Sequence, residues 1–497
     1  LYFYIDLARY DSSNPAKLFT MQQVLVGRKL EFEVLNKALN SPEPEMVALI
    51  GRRRVGKTFL VQQTLAGKID FELTGEQNTK MRQQLQNFAD RLTLHNKPKI
   101  PFQRPNNWHE AFNMLITWFD ADKKPQKRVL FFDELPWLAT RRSDFLPALG
   151  YFWNSWASQN NIMLVICGSA ASWMIQNIVR DRGGLYNRIT RRIHLQPFNL
   201  AETEAFLIHR GVRLDRYQLL QIYMALGGIP HYLKEVEGGK TAAQNIDQIC
   251  FSPNGLLTDE FQQLYPALFE QADIHIKIIR LLARSRQGMT RSEIIEQGEV
   301  ANGGNTSKVL EELESSGFIT GFYAFGKKKK EMRFRLTDEY SLFFLKFMEE
   351  NNNLERGSWQ TFSQNQSWKS WSGYAFENLA LRHLPQIKKA LGIAAVYTES
   401  SSFFQRGNDQ QAGFQIDLLI DRNDHAINVC ELKFYSEELI LTKAMATAMR
   451  QKIAFFKAAT QTKKQIFLTL ISPFPLISNE HSVGLVDVSL TMDAFFE

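Results

Sequence analysis

Gly51-Arg-Arg-Arg-Val-Gly56-Lys57-Thr58 has the spacing G-x-x-x-x-G-K-[ST], and the chemistry of that pattern is the binding of a nucleoside polyphosphate. Its glycines let the backbone wrap phosphate oxygens with N–H groups turned inward. Gly51, Arg52, Val55 and Gly56 then line the phosphates, Lys57 reaches the β- and γ-phosphates, and Thr58 offers an oxygen to Mg²⁺. Further along, Val129-Leu-Phe-Phe runs directly into Asp133 and Glu134. An aspartate ending a strand can hold the Mg²⁺ shell, and the next glutamate can polarise an attacking water as general base. ATP and Mg²⁺ are therefore the expected cofactors.

These residues need a scaffold. Met46 to Ile50 is a short apolar run that reads as a buried strand, and Phe59 to Ala66 as the helix after it. That order brings the positive end of a helix to the phosphates. Phe71-Glu-Leu reads as a second strand, residues 80–94 and Trp108 to Phe119 as helices, and Ile162 to Ser169 as another buried strand. Strands alternating with helices imply a parallel sheet covered on both faces. Ser169 falls where a polar group can sense the γ-phosphate, or it simply caps its strand. Arg188, in the basic stretch Leu185 to Arg192, could neutralise transition-state charge in cis or on a neighbouring copy; a solvated turn is the alternative. Val24-Leu-Val-Gly-Arg28 is either an adenine-side box or a turn before a helix. Residues 201–270 read as helical throughout, with Gly227-Gly-Ile-Pro230 as a sharp turn that either touches the phosphates or joins two helices.

Together, Val-Gly-Arg28, the glycine-lysine loop, Leu-Phe-Phe-Asp133-Glu134, Cys-Gly-Ser169 and Gly-Gly-Ile-Pro230 resemble the archaeal-type AAA+ ATPase family close to the STAND regulatory NTPases. The resemblance covers roughly residues 21–350. Ser169 departs from the asparagine usual at the sensor position of that family. The implied organisation is an extension over 1–20, a P-loop core over 21–200, a helical lid over 201–271 and a winged helix over 272–350. The third helix of that winged helix would sit in a DNA major groove if it reads DNA. It carries Glu311, Glu312 and Glu314, which repel phosphate, so a regulatory lid is the alternative and the Lys327 to Lys330 wing tip the better DNA contact.

A polar linker over 351–370 leads to a last domain over 371–497. There, the helix with Gly373 and Glu377, the strand Phe414 to Ile420, a turn at Asn423-Asp424, the strand with Glu431-Leu-Lys433 and a helix over 438–458 resemble the core of the PD-(D/E)xK nucleases. Glu431 and Lys433 are two apart on a strand, so both leave the same face. The resemblance implies that Asp417, Glu431 and the Leu432 carbonyl hold Mg²⁺ and that Lys433 orients or deprotonates a water. Glu377 then projects toward the metal. The proline of the motif name is absent, since Gln415-Ile precedes Asp417.

Hydrophobic residues at 44% and charged residues at 22% describe an ordinary soluble chain of several domains. No apolar run reaches the ~20 residues that span a bilayer. Three dispersed cysteines argue against a disulfide scaffold or zinc cluster and fit the cytoplasm. The net charge of +7 makes DNA a reasonable partner, with homo-oligomerisation left open. The expected fold is thus α/β and multidomain, and the expected function an ATPase coupled to a metal-dependent DNA endonuclease. The alternative is a nucleotide-switched regulatory or DNA-binding scaffold with an inactive nuclease fold.

Overall fold

The computed structural model describes residues 25–122, 124–140, 142–180, 184–185, 187–327, 331–349, 357–405 and 413–497. The expected extension over 1–20 and Lys328, Lys329 and Lys330 of the expected wing tip lie outside the described residues.

β1 (Glu45–Ile50), β2 (Ile69–Thr74), β3 (Arg128–Asp133), β4 (Ile162–Gly168) and β5 (Arg191–His194) form a parallel sheet in the order β2-β3-β4-β1-β5. Every residue of β1, β3 and β4 is buried. Strands covered on both faces have no polar side, so they read as unbroken apolar runs. The loops carrying Gly51, Asp133 and Ser169 leave the carboxyl ends of these three adjacent strands, the usual place for a ligand in such a sheet. The helix Trp108–Ala121 starts where the Asn107 side chain accepts from Glu110 N at 2.9 Å.

From Leu200 the chain is helical. The helices Arg216–Leu226 and Pro230–Leu233 are joined by the Gly227-Gly228 turn. Phe198 N donates to Gly228 O at 2.7 Å, and a Cβ on Gly228 would lie 1.8 Å from the Phe198 oxygen. Only glycine allows that approach.

Next come the helices Ala272–Ala283, Arg291–Gly298 and Gly304–Ser315, with β6 (Met289–Thr290), β7 (Ile319–Phe322) and β8 (Arg333–Leu336) in an antiparallel sheet ordered β6-β8-β7. The helix Gly304–Ser315 does not face solvent with its acidic residues free. Glu311 pairs with Arg180 of the first domain at 2.9 Å, Glu312 with His275 at 2.8 Å, and Glu314 accepts from Gly321 N at 2.9 Å. Glu311 and Glu314 stay exposed while making these contacts, and the pair with Arg180 places the helix against the first domain. On the other side, Phe325 N donates to Ser402 O at 2.8 Å and the Phe325 ring meets Phe456 edge-on, so this unit is also docked on the C-terminal domain.

The described part of the stretch expected as a linker is packed. Trp359, Trp368 and Trp371 are buried against Phe343 and Phe347. The helix bearing Glu377 starts at Gln366, capped by Asn365, rather than near Gly373. The last sheet runs β15-β13-β11-β10-β9, from β9 (Thr398–Gln405), β10 (Phe414–Arg422), β11 (Ala426–Leu432), β13 (Gln465–Ile471) and β15 (Val488–Leu490). β12 (Leu439–Ile440) and β14 (Leu476–Ile477) form a separate short pair. β9, β10 and β11 are antiparallel neighbours, and β13 joins β11 in parallel after the crossover helix Lys443–Thr460. Among the described residues, no helix is long and apolar enough to cross a membrane.

Candidate nucleotide site and C-terminal acidic cleft

The phosphate loop closes onto the helix Lys57–Thr64 through Gly56, whose φ of 92° favours glycine. Gly51 is required for another reason: a Cβ there would lie 2.5 Å from Leu195 O. Thr58 Oγ1 donates to Asp133 Oδ2 at 2.6 Å, so the two oxygens expected at Mg²⁺ already meet. Both are hard oxygen donors, one in the first turn of the helix Lys57–Thr64 and one at the end of β3, and that donor set fits Mg²⁺. Lys57 is buried and its Nζ donates to Arg52 O at 3.0 Å.

Glu134 takes a left-handed backbone, φ 48°, directly after β3. Its Oε2 accepts from Ser169 N at 3.1 Å and from Ser169 Oγ at 2.7 Å. The expected base and the expected sensor are therefore bonded to each other. Arg28 is buried, lies 4.4 Å from the Phe198 ring centroid and donates to Val55 O at 3.3 Å, so its box braces the loop. Arg188 is exposed before β5, whereas Arg191 is tied to Glu45 at 2.7 Å.

Sequence reading missed what the loop arginines do. Arg52 forms a buried ion pair with Asp338, just beyond β8, and lies 4.6 Å from the centroid of Phe318. Arg54 pairs with Glu260 at 2.5 Å. Burial outweighs that contact and raises the Glu260 carboxyl.

In the C-terminal domain, β10 and β11 pair with Leu418 opposite Cys430. One residue further along that register, Asp417 stands opposite Glu431, and directly opposed residues share a face. A register shift between Ile416 and Leu419 in the β9 pairing re-aims the strand beside Asp417. Glu431 is buried, and Lys433 Nζ and Lys452 Nζ approach its two oxygens at 2.8 and 2.9 Å. Burial alone would raise this carboxyl, but the two lysines hold it below the usual range. Asp417 Oδ1 accepts from Gln415 Nε2 at 2.6 Å. Burial and then the charge of Asp417 push Glu377 up to about 8, against the pull of Arg335 and Arg286. Glu377, Asp417, Gln415, Gln451, Lys452 and Arg286 line one cleft of about 420 Å³.

Lys452 and Arg286 were not foreseen. The only signal for Lys452 was a lysine on the crossover helix, which must pack across the sheet beside β11. Among the described residues, no group of three or more His, Cys, Asp or Glu is drawn up to ligate a metal. Asp417 and Glu431 nevertheless offer carboxylate oxygens from neighbouring strands, a donor type that suits a hard divalent cation.

Residues 25–236 match the family model described as an ATPase domain predominantly from Archaea. An uncharacterized protein of Methanocaldococcus jannaschii is 21% identical over 420 residues, covering 83% of this chain and 88% of its own. The Walker-type ATPase of Pyrococcus abyssi is similar with a TM-score of 0.46 at 16% identity, over 65% of this chain and 96% of that one. The ORC2 protein of Aeropyrum pernix, solved as ADPNP–ADP complexes, gives a TM-score of 0.39 at 17% identity, over 65% of this chain and 95% of that one.

Proposed function

We propose that the ATPase domain regulates a Mg²⁺-dependent DNA endonuclease formed by the last domain. The observation that carries this reading is Glu431, gripped by Lys433 and Lys452 on the strand opposite Asp417, with Glu377 keeping a proton beside them.

At the nucleotide site, Lys57 exchanges the Arg52 carbonyl for phosphate oxygens, and Thr58 and Asp133 would hold Mg²⁺. Glu134 orients the water, and Ser169 holds Glu134 until nucleotide arrives. Arg188, exposed before β5, is one arginine available to a second copy, and the exposed Arg192 is another. In the cleft, Asp417, Glu431 and the Leu432 carbonyl would hold Mg²⁺, which supplies charge neutralisation at the scissile phosphate. Lys433 orients or deprotonates the attacking water. Glu377, with its raised proton affinity, would serve as general acid. The unit over 272–350 serves as a winged-helix lid between the two sites, since its acidic helix is docked on the ATPase domain. Three buried free cysteines suit work in the cytoplasm.

A second reading is a nucleotide-driven switch whose nuclease-like domain does not cut. It is favoured by the occupation of both Glu431 oxygens by lysines. Strand scission with Mg²⁺ or Mn²⁺, compared between wild type, Asp417→Ala and Lys433→Ala, separates the two. The nuclease reading expects cutting lost in both variants with ATP hydrolysis intact. Cutting that survives both variants rejects the assigned site, and no cutting by wild type favours the switch.

A further inference from the structure

The cleft that holds Glu377 and Asp417 is not built by the C-terminal domain alone. Arg286 belongs to the turn between the helix Ala272–Ala283 and β6, yet it lines that cleft. The turn is rigid. Ser285 Oγ donates to Gly288 O at 3.0 Å, and Gly288, at φ 64°, could not carry a Cβ without meeting Phe334 O at 2.7 Å. Arg333 of β8 fixes it from behind, donating to Gln287 O at 3.1 Å and to Gly288 O at 2.7 Å.

The turn also reaches the acidic side chains. Gln287 Nε2 donates to Gln415 Oε1 at 3.1 Å, and Gln415 in turn donates to Asp417. Arg286 uses Nη2 on Ser370, at 2.7 Å to Oγ and 3.1 Å to O. Among the described residues its Nε and Nη1 have no partner, so a held guanidinium presents free donors to a cleft that also contains Lys452 and Gln451. Guanidinium donors of this kind suit phosphate oxygens. At the rim, Phe455 is 38% exposed and stacks on Phe414 at 5.1 Å. An exposed ring backed by a half-buried one beside cationic donors suits a base attached to the phosphate, which free phosphate lacks.

We propose that Arg286 binds a backbone phosphate of a polynucleotide, so that the C-terminal cleft is a site shared between two domains. This deepens the nuclease reading and rests on it for the kind of ligand, while its test reads binding rather than cutting.

The test is fluorescence anisotropy of the full chain with labelled single-stranded DNA, duplex DNA and single-stranded RNA, in Ca²⁺ over a salt series. One lost phosphate contact lowers the slope of log K against log salt by about 0.7 to 0.9. Arg286→Ala is expected to show that drop with severalfold weaker binding at low salt. Arg286→Lys is expected to restore the slope. Ser370→Ala, which removes only the brace, is expected to leave the slope unchanged. A drop with any of the three polynucleotides supports the proposal and identifies which one is held. An unchanged slope in Arg286→Ala, or wild type that binds none of them, overturns it. Arg286-dependent binding without any scission rejects the nuclease reading and leaves the shared site standing. Scission with Arg286-independent binding does the reverse.

Discussion

Arg52 of the phosphate loop and Asp338, 286 positions later, form an ion pair in which both side chains are buried. Asp338 is also fixed by Ser341, whose N and Oγ donate to it at 2.9 and 2.6 Å. The next residue, Glu339, pairs with Arg382 at 2.8 Å, on the helix that carries Glu377. Two consecutive carboxylates therefore connect the nucleotide loop to the helix of the acidic cleft.

Removing one partner of a buried pair strands the other charge, at a cost of about 3–5 kcal/mol. Asp338→Ala is expected to lower the thermal midpoint strongly. The Arg52→Ala, Asp338→Ala double variant should lose less than the sum of the single losses. Thermal denaturation of all four proteins checks this, and additive losses would mean that the pair is not coupled.

At the nucleotide site, Lys57→Ala is expected to abolish binding of a fluorescent ATP analogue. Glu134→Gln should retain the analogue and lower turnover about 10²- to 10⁴-fold, the range for a lost general base. Ser169→Ala frees Glu134 from a bond and should reduce turnover far less. Equal losses in the last two variants would make Ser169 a direct participant in hydrolysis.

Glu377 gives stability a pH dependence. Burial and then the charge of Asp417 push its carboxyl up to about 8, above the ordinary carboxyl value of 4.5, so between these limits the unfolded chain has lost a proton that the fold keeps. Stability contributed at this site is therefore full at low pH and falls as pH rises toward about 8. Glu377→Gln should remove that fall. Melting curves from acid to mildly alkaline pH should show the variant gaining on wild type as pH rises, and parallel curves would count against the assignment.

His383 works in the opposite sense. Its Nε2 accepts from Leu200 N at 3.0 Å while Nδ1 faces Leu379 O at 2.8 Å, and burial lowers its pKa to about 4. The fold holds it neutral while the unfolded chain takes a proton below 6.5, so stability is lost as pH falls from about 6.5 toward 4. The ring should titrate near that lower value by NMR. A normal value would mean the ring is solvated.

The sheet and the residues at its strand ends were legible because β1, β3 and β4 are covered on both faces and read as continuous apolar runs leading into Gly51, Asp133 and Ser169. Glu431 and Lys433 were legible because a two-residue spacing on a strand fixes their common face. Asp338 was not, since nothing local in an aspartate that caps the helix Glu339–Phe343 says that its partner is Arg52 on a distant loop. The packed stretch around Trp359 and Trp368 was masked by its Asn, Gln and Ser neighbours, which suggested a linker. Arg286 escaped because its role depends on how two domains dock.

The central claim is that nucleotide governs cutting at Glu431. Nicking of supercoiled plasmid in Mg²⁺ or Mn²⁺, with and without ATP, by wild type and Glu431→Ala, tests it most directly. The account predicts nicking by wild type that changes with ATP and vanishes in the variant while ATP hydrolysis persists. Nicking that persists in Glu431→Ala, or its absence from wild type in every condition with hydrolysis intact, would contradict it.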